Sequence, residues 1–160
     1  TTYINCATAY QAFNRPEQAL PLFENALKIY EKGLSSDDKR RGSLYNNMAL
    51  TLISLKRFPE AYEYYNKAIE IMSKQNLPLE IAITYLNIAS AKEIELGLDA
   101  AEDEIDVLMD KAATLLDTYE HRQGYYAFVC EKCASVFGYY GRFVYKNTLL
   151  KRAKEIYART

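Results

Sequence analysis

Cys130-Glu131-Lys132-Cys133 sets two thiols at the C-x-x-C spacing that zinc sites and dithiol redox centres use. A closed zinc site needs about four ligands, and beyond this pair the chain offers only Cys6 and His121. Reactive dithiols sit at a helix N-terminus after a strand, whereas this stretch reads as the middle of a helix, so both thiols are expected in the core. A thiol or zinc site at the C-x-x-C stays as the alternative from a different functional class. His121 stands between Glu120 and Arg122 with no nucleophile at a recognisable spacing, which suits a surface or capping residue. Asp99, Glu102, Asp103, Glu104 and Asp106 make an acidic patch, but without the Asp-x-Asp-x-Asp-Gly order of a calcium loop it reads as a charged helix start. None of the six glycines builds a phosphate-cradling loop. No catalytic residue, metal ligand set or cofactor is assigned, and the chain is not expected to be an enzyme.

The bulk composition narrows the partners. Of 160 residues, 49% are apolar, enough to bury a continuous core. Twenty basic and 21 acidic residues leave a net charge of -1, so no long-range field draws the molecule to nucleic acid or to a membrane surface. The short basic runs Lys39-Arg40-Arg41 and Lys151-Arg152 have acidic neighbours in Asp37, Asp38 and Glu155 and read as solvated helix faces. No stretch reaches the ~20 apolar residues of a membrane span, and no export signal precedes the first helical pattern. Three scattered cysteines do not form a disulfide framework. A soluble, cytoplasmic chain is the expectation, and its start at Thr1 within a helical pattern fits a piece of something longer.

The elements that would position these residues come from an internal repeat. Ala26, Ala68, Ala112 and Ala153 each follow a bulky residue by three positions, namely Phe23, Tyr65, Met109 and Leu150, which puts both on one helical face. A helix before each of these carries Tyr3 with Ala7, Tyr45 with Ala49, Tyr85 with Ala89, and Cys130 with Ala134, so Cys130 and Cys133 fall in the slots of Tyr85 and Ile88. From leading to trailing alanine the separation is nineteen residues in repeats one, two and four, and twenty-three in repeat three. One extra helical turn is therefore expected around Leu96-Gly97-Leu98-Asp99. Pro16 and Pro59 fall early in second helices, where a missing N–H costs nothing. Asp99 with Glu102 resembles an N-cap and its reciprocal acid, and Ser35-Ser36-Asp37-Asp38 and Asn76-Leu77-Pro78 read as turns. Adjacent tyrosines such as Tyr64-Tyr65, Tyr125-Tyr126 and Tyr139-Tyr140 diverge by ~100°, so both members of a pair cannot be buried. The resulting architecture is all-α: one array over 1–160, an α-solenoid of antiparallel helix pairs at about 2–33, 42–75, 82–119 and 127–159.

The pattern Ala49, Ala61, Tyr65, Ala68, repeated as Ala7, Ala19, Phe23, Ala26, resembles the tetratricopeptide repeat. It weakens in repeat three and again in repeat four, where Lys146 holds the slot of Ala19 and Ala61. The period of about forty exceeds the usual 34, like the long-helix variants of kinesin light chains and bacterial peptide-sensing regulators. The resemblance implies a right-handed superhelix that binds proteins or peptides as a scaffold, or alternatively the sensing domain of a bacterial transcriptional regulator.

In such an array the face opposite the alanines would line an inner groove. Residues two before each leading alanine point there at ~200° on a helical wheel: Asn5, Asn47, Asn87 and Lys132. The three asparagines resemble the amide ladder with which some members of the family hold a peptide backbone, since an amide both donates and accepts. Thr8, Ser43, Leu50, Ser54, Ile83, Ser90, Phe128 and Ser135 would be their neighbours. With Lys132 as the one base, a peptide read through its backbone, or an apolar helix, is expected rather than an acidic C-terminal tail. No extra polar helix follows Tyr157, so self-association through the uncapped C-terminal face is a further expectation.

Overall fold

The computed structural model describes residues 2–159. They form eight helices: α1 (Thr2–Ala12), α2 (Pro16–Gly33), α3 (Lys39–Ser54), α4 (Phe58–Lys74), α5 (Pro78–Leu96), α6 (Leu98–Thr118), α7 (Gly124–Tyr139) and α8 (Phe143–Tyr157). No strand occurs among the described residues, and none of these helices is long and apolar enough to cross a membrane.

Local chemistry sets the helix ends. Pro16 opens α2 and Pro59 is the second residue of α4, where proline's missing donor would have been unpaired anyway. Pro78, expected in a turn, instead opens α5 for the same reason. The Asp38 carboxylate caps α3 by accepting from the Arg40 N–H at 2.9 Å, and the Arg40 side chain holds that carboxyl at about 2, below the usual carboxylate range. Asp99 does not cap α6. The helix begins one residue earlier, at Leu98 after Gly97, and Asp99 lies within its first turn, where a negative charge suits the helix dipole.

Four helices end alike. The N–H groups of Arg15, Arg57, Leu77 and Arg142 donate to the carbonyls five residues back, of Tyr10, Leu52, Met72 and Phe137. The residues before them, Asn14, Lys56, Asn76 and Gly141, take positive φ of 54°, 57°, 52° and 78°. This is the left-handed stop that satisfies carbonyls otherwise orphaned at a helix end.

The alanines close the pairs. Ala7, Ala49, Ala89 and Ala134 of the first helices, and Ala26, Ala68, Ala112 and Ala153 of the second, are all at most 2% exposed. Small side chains here let helix backbones approach closely. Gly42 extends the close approach of α3 to α4, since a Cβ there would lie 3.3 Å from Ile71 Cγ2. Where Lys146 takes an alanine slot in α8, the opposing residue in α7 is Gly138, and a Cβ on it would lie only 2.7 Å from Lys146 Cδ. The lysine stem thus occupies volume that the glycine leaves free.

The longer repeat distributes its extra turn over both helices. Past the leading alanine α5 runs seven residues, to Leu96, where α3 runs five, to Ser54. Before the trailing alanine α6 starts fourteen residues ahead, where α4 starts ten ahead. The connector shrinks from three residues, 55–57, to Gly97 alone, whose φ of +82° favours a residue without a Cβ.

Successive pairs pack α2 on α3 and α4 on α5, and they also touch through their first helices. α1 touches α3, α3 touches α5 and α5 touches α7, while no comparable contact joins the second helices to one another. The first helices therefore form one continuous row, and α5 packs into both large core clusters, giving Ile88 and Ala91 to the N-terminal one and Leu86 and Ala89 to the C-terminal one. Tyr3 departs from the pattern. Its counterparts Tyr45 and Cys130 are buried, but Tyr3 is 42% exposed, because Tyr45 packs against Leu27 of the preceding pair and no described helix lies on that side of α1.

Candidate functional site

The row of first helices carries the residues placed in register by the sequence. Asn5 on α1 and Lys132 on α7 are exposed, and Asn47 on α3 and Asn87 on α5 are half-buried. The Asn87 amide donates to Asn46 Oδ1 at 3.4 Å, and Asn46 in turn donates to Thr84 Oγ1 at 3.1 Å. Asn46, next to Asn47 and not anticipated, thereby ties α3 to α5. The backbone carbonyl of Asn47 accepts from Gln11 Nε2 and from Thr51 Oγ1, while its side-chain amide has no bond to another described residue.

The hydroxyl groups around this row turn to their own helices. Thr8, Ser43, Ser54 and Ser135 donate to carbonyls three or four residues back, leaving their oxygens able to accept. Leu50 and Ile83 are half-buried. Phe128 is exposed and stacks on Tyr125 at 6.3 Å between ring centres.

Ser90 and Ser135 come together in one groove of about 540 Å³ between α5 and α7, lined also by Glu93, Ile94, Val136 and Tyr139. Glu93 holds its far end: Oε1 accepts from the Tyr139 hydroxyl and Oε2 from the Tyr140 hydroxyl, both at 2.8 Å. A second such bond, Tyr125 to Glu80 at 2.8 Å, joins the starts of the same two helices. Burial, and then the bonded carboxylates, push the hydroxyls of Tyr125 and Tyr140 up to about 12. Glu80 and Glu93 were not singled out by the sequence. Partners forty-five or more residues apart leave no local signature, and only the adjacent tyrosines hinted that one ring must face outward.

The chemistry-bearing residues lie elsewhere. Cys130 and Cys133 are buried free thiols in α7; burial raises both, Cys133 to about 12, which works against the thiolate that attacks or binds metal. Cys6 is exposed on α1, three helix pairs away. His121 sits in the connector between α6 and α7, edge-on to Tyr119. Among the described residues no group of three or more Cys, His, Asp and Glu is arranged to hold a metal ion.

Comparison with known proteins bears on this geometry. Residues 1–38 and 43–74 each match a tetratricopeptide-repeat family model. No curated protein matches the chain in sequence. Among solved structures, BtubC (BKLC) from P. vanneervenii superposes with a TM-score of 0.64 at 22% identity, over 98% of this chain and 62% of that one. A P. anserina structure of nearly identical TPR-like repeats, named after kinesin light chain, gives 0.59 at 19% identity, over 98% and 74%. The chain thus spans about three fifths of the length of BtubC. The chain carries tetratricopeptide repeats in its first two helix pairs and continues the same solenoid fold through the last two.

Proposed function

We propose that the chain is a non-catalytic, cytoplasmic interaction module that holds a protein or peptide segment along its row of first helices, through Asn5, Asn47, Asn87, Lys132, Ser43, Leu50, Ser90 and Ser135. What carries the reading is the recurrence of uncharged polar side chains in one register on helices that touch each other, in a fold whose repeats bind proteins. Amides and hydroxyls that can both donate and accept suit a peptide backbone of any sequence. Lys132 is the one base in that register, which argues against a clamp for a terminal carboxylate. Nucleic acid and membrane are not expected as partners of a chain with net charge -1. Self-association through α8 is part of the same proposal, because Phe143, Val144 and Leu150 are exposed there.

A displayed peptide library selected on the wild-type chain tests the groove. Asn47→Ala combined with Asn87→Ala is expected to keep the fold by circular dichroism and to lose at least about tenfold in affinity for the selected peptides, roughly 1.4 kcal/mol. Full affinity in the double variant would remove the amide row from the site.

A further inference from the structure

We propose that the groove between α5 and α7, together with the cleft on the far side of Tyr139 and Tyr140, is the docking site for a basic amphipathic segment of a partner protein, one that combines Lys or Arg with Leu, Ile or Phe. The inference rests on the first-helix row being a protein-binding surface and names the chemistry of the partner at its C-terminal end.

The surface is apolar where it is concave. Ile94 is 59% exposed and Tyr139 69% exposed, and Val136 shares the groove with them. Across Tyr139 and Tyr140 lies a second cleft of about 220 Å³, lined by Leu98 and Ile105 and rimmed by Asp99, Glu102 and Asp106. The two clefts share Tyr139, so its ring is a wall common to both. Apolar side chains left in water beside a cleft gain free energy when a partner covers them.

The charge around these clefts is mostly negative, with Lys132 of α7 and Lys146 beside Gly138 as nearby opposing charges. Residues 93–110 contain eight carboxylates and no Lys or Arg. Two bases from outside the segment reach it, Lys92 to Glu104 and Arg142 to Asp106 and Asp110. Glu93 and Glu95 accept from tyrosine hydroxyls, which are neutral donors and leave the negative charge in place. No ion pair among the described residues engages Asp99, Glu102 or Asp103. The excess is local, because the whole chain is near neutrality. A cationic segment is therefore steered to this end of the molecule, and its apolar side chains supply the contact that outlasts screening. The extra helical turn of pair three adds Leu98 and Asp99 to the second cleft.

Fluorescence anisotropy with three synthetic peptides of about 14 residues, long enough to span ~20 Å as a helix, tests this. One combines Lys with Leu and Ile, one replaces its Leu and Ile by Ser, and one replaces its Lys by Glu. The first is expected to bind at least about tenfold more tightly than either of the others, and to weaken several-fold between about 0.05 and about 0.3 M salt. Asp99→Asn with Glu102→Gln, both on exposed residues, should lower its affinity about fivefold or more, and Ile94→Ser by a similar factor. Glu63→Gln with Glu70→Gln, on α4, should leave it unchanged. Equal binding of the Ser peptide, or undiminished binding by the Asp99 and Glu102 variant, overturns the proposal. Asn47→Ala with Asn87→Ala should leave this peptide's affinity within about twofold. Loss there with retention in the acid variants would put the occupant on the amide row instead and sink this inference alone.

Discussion

Between pairs one and two, and again between pairs two and three, a second helix lies directly against the next first helix, α2 on α3 and α4 on α5. Between pairs three and four, α6 and α7 make no comparable contact; α5 meets α7 instead over a shared apolar core, and long side chains add polar links. The Tyr126 hydroxyl donates to the Leu116 carbonyl at 3.0 Å, Tyr145 reaches the Ala113 carbonyl and Asp117, and Arg152 pairs with Asp117 at 2.7 Å. One fold therefore closes its joints in two ways. A second helix lies on the next first helix in the first half, and first helix meets first helix over a shared apolar core, with added polar links, at the last joint. The residues that match the family models all lie in the first half, where the second helices lie on the next first helices.

The comparison can be broken at its strongest point by overfilling a tight crossing. Ala49 is fully buried, and Ala49→Leu should cost on the order of 1–3 kcal/mol, read as a lowered midpoint in urea. A change within about 0.5 kcal/mol would mean that the alanine crossings are not what closes the helix pairs.

Two buried tyrosines sharpen the contrast, because the same substitution should act with opposite sign. Tyr65 of pair two is fully buried and its hydroxyl has no partner, so Tyr65→Phe should raise stability by about 1 kcal/mol. Tyr126 of pair four, also buried, donates to Leu116 and accepts from Arg152, so Tyr126→Phe should lower stability by about 1 kcal/mol. Parallel thermal melts of the two variants decide it, and shifts of the same sign would erase the distinction between the halves.

The smallest expected effect is on alkaline stability. Tyr125 and Tyr140 ionise near 12 in the folded chain but near 10 when unfolded, so their contribution is complete below pH 10 and is lost as pH rises through 12. Melting temperature should fall across that window, and Tyr125→Phe with Tyr140→Phe should flatten the fall. An equally steep fall in the double variant would place the alkaline sensitivity elsewhere.

The helical repeat was legible because alanine at a crossing is a steric requirement written into residue type. Every leading and trailing alanine is buried, and the four-residue insertion lies at the tip of pair three where the spacing put it. What the sequence obscured depends on partners distant in the chain. Asp99 looked like a cap because its local spacing to Glu102 is right, yet Gly97, with its positive φ, starts the helix earlier. Glu93 was unremarkable until Tyr139 and Tyr140 folded onto it, and Asn46 until Asn87 and Thr84 did. Tyr3 failed the pattern because its counterparts owe their burial to the pair before them.

Gly138 and Lys146 bear on how such a chain can diverge. An alanine at 138 alone would press a methyl group against the lysine stem, and an alanine at 146 alone would leave a void beside the glycine. The coupling is lopsided: the half-buried lysine stem can swing away from a methyl group at 138, whereas an alanine at 146 has nothing with which to fill the space, so this helix pair bears change at 138 more readily than at 146.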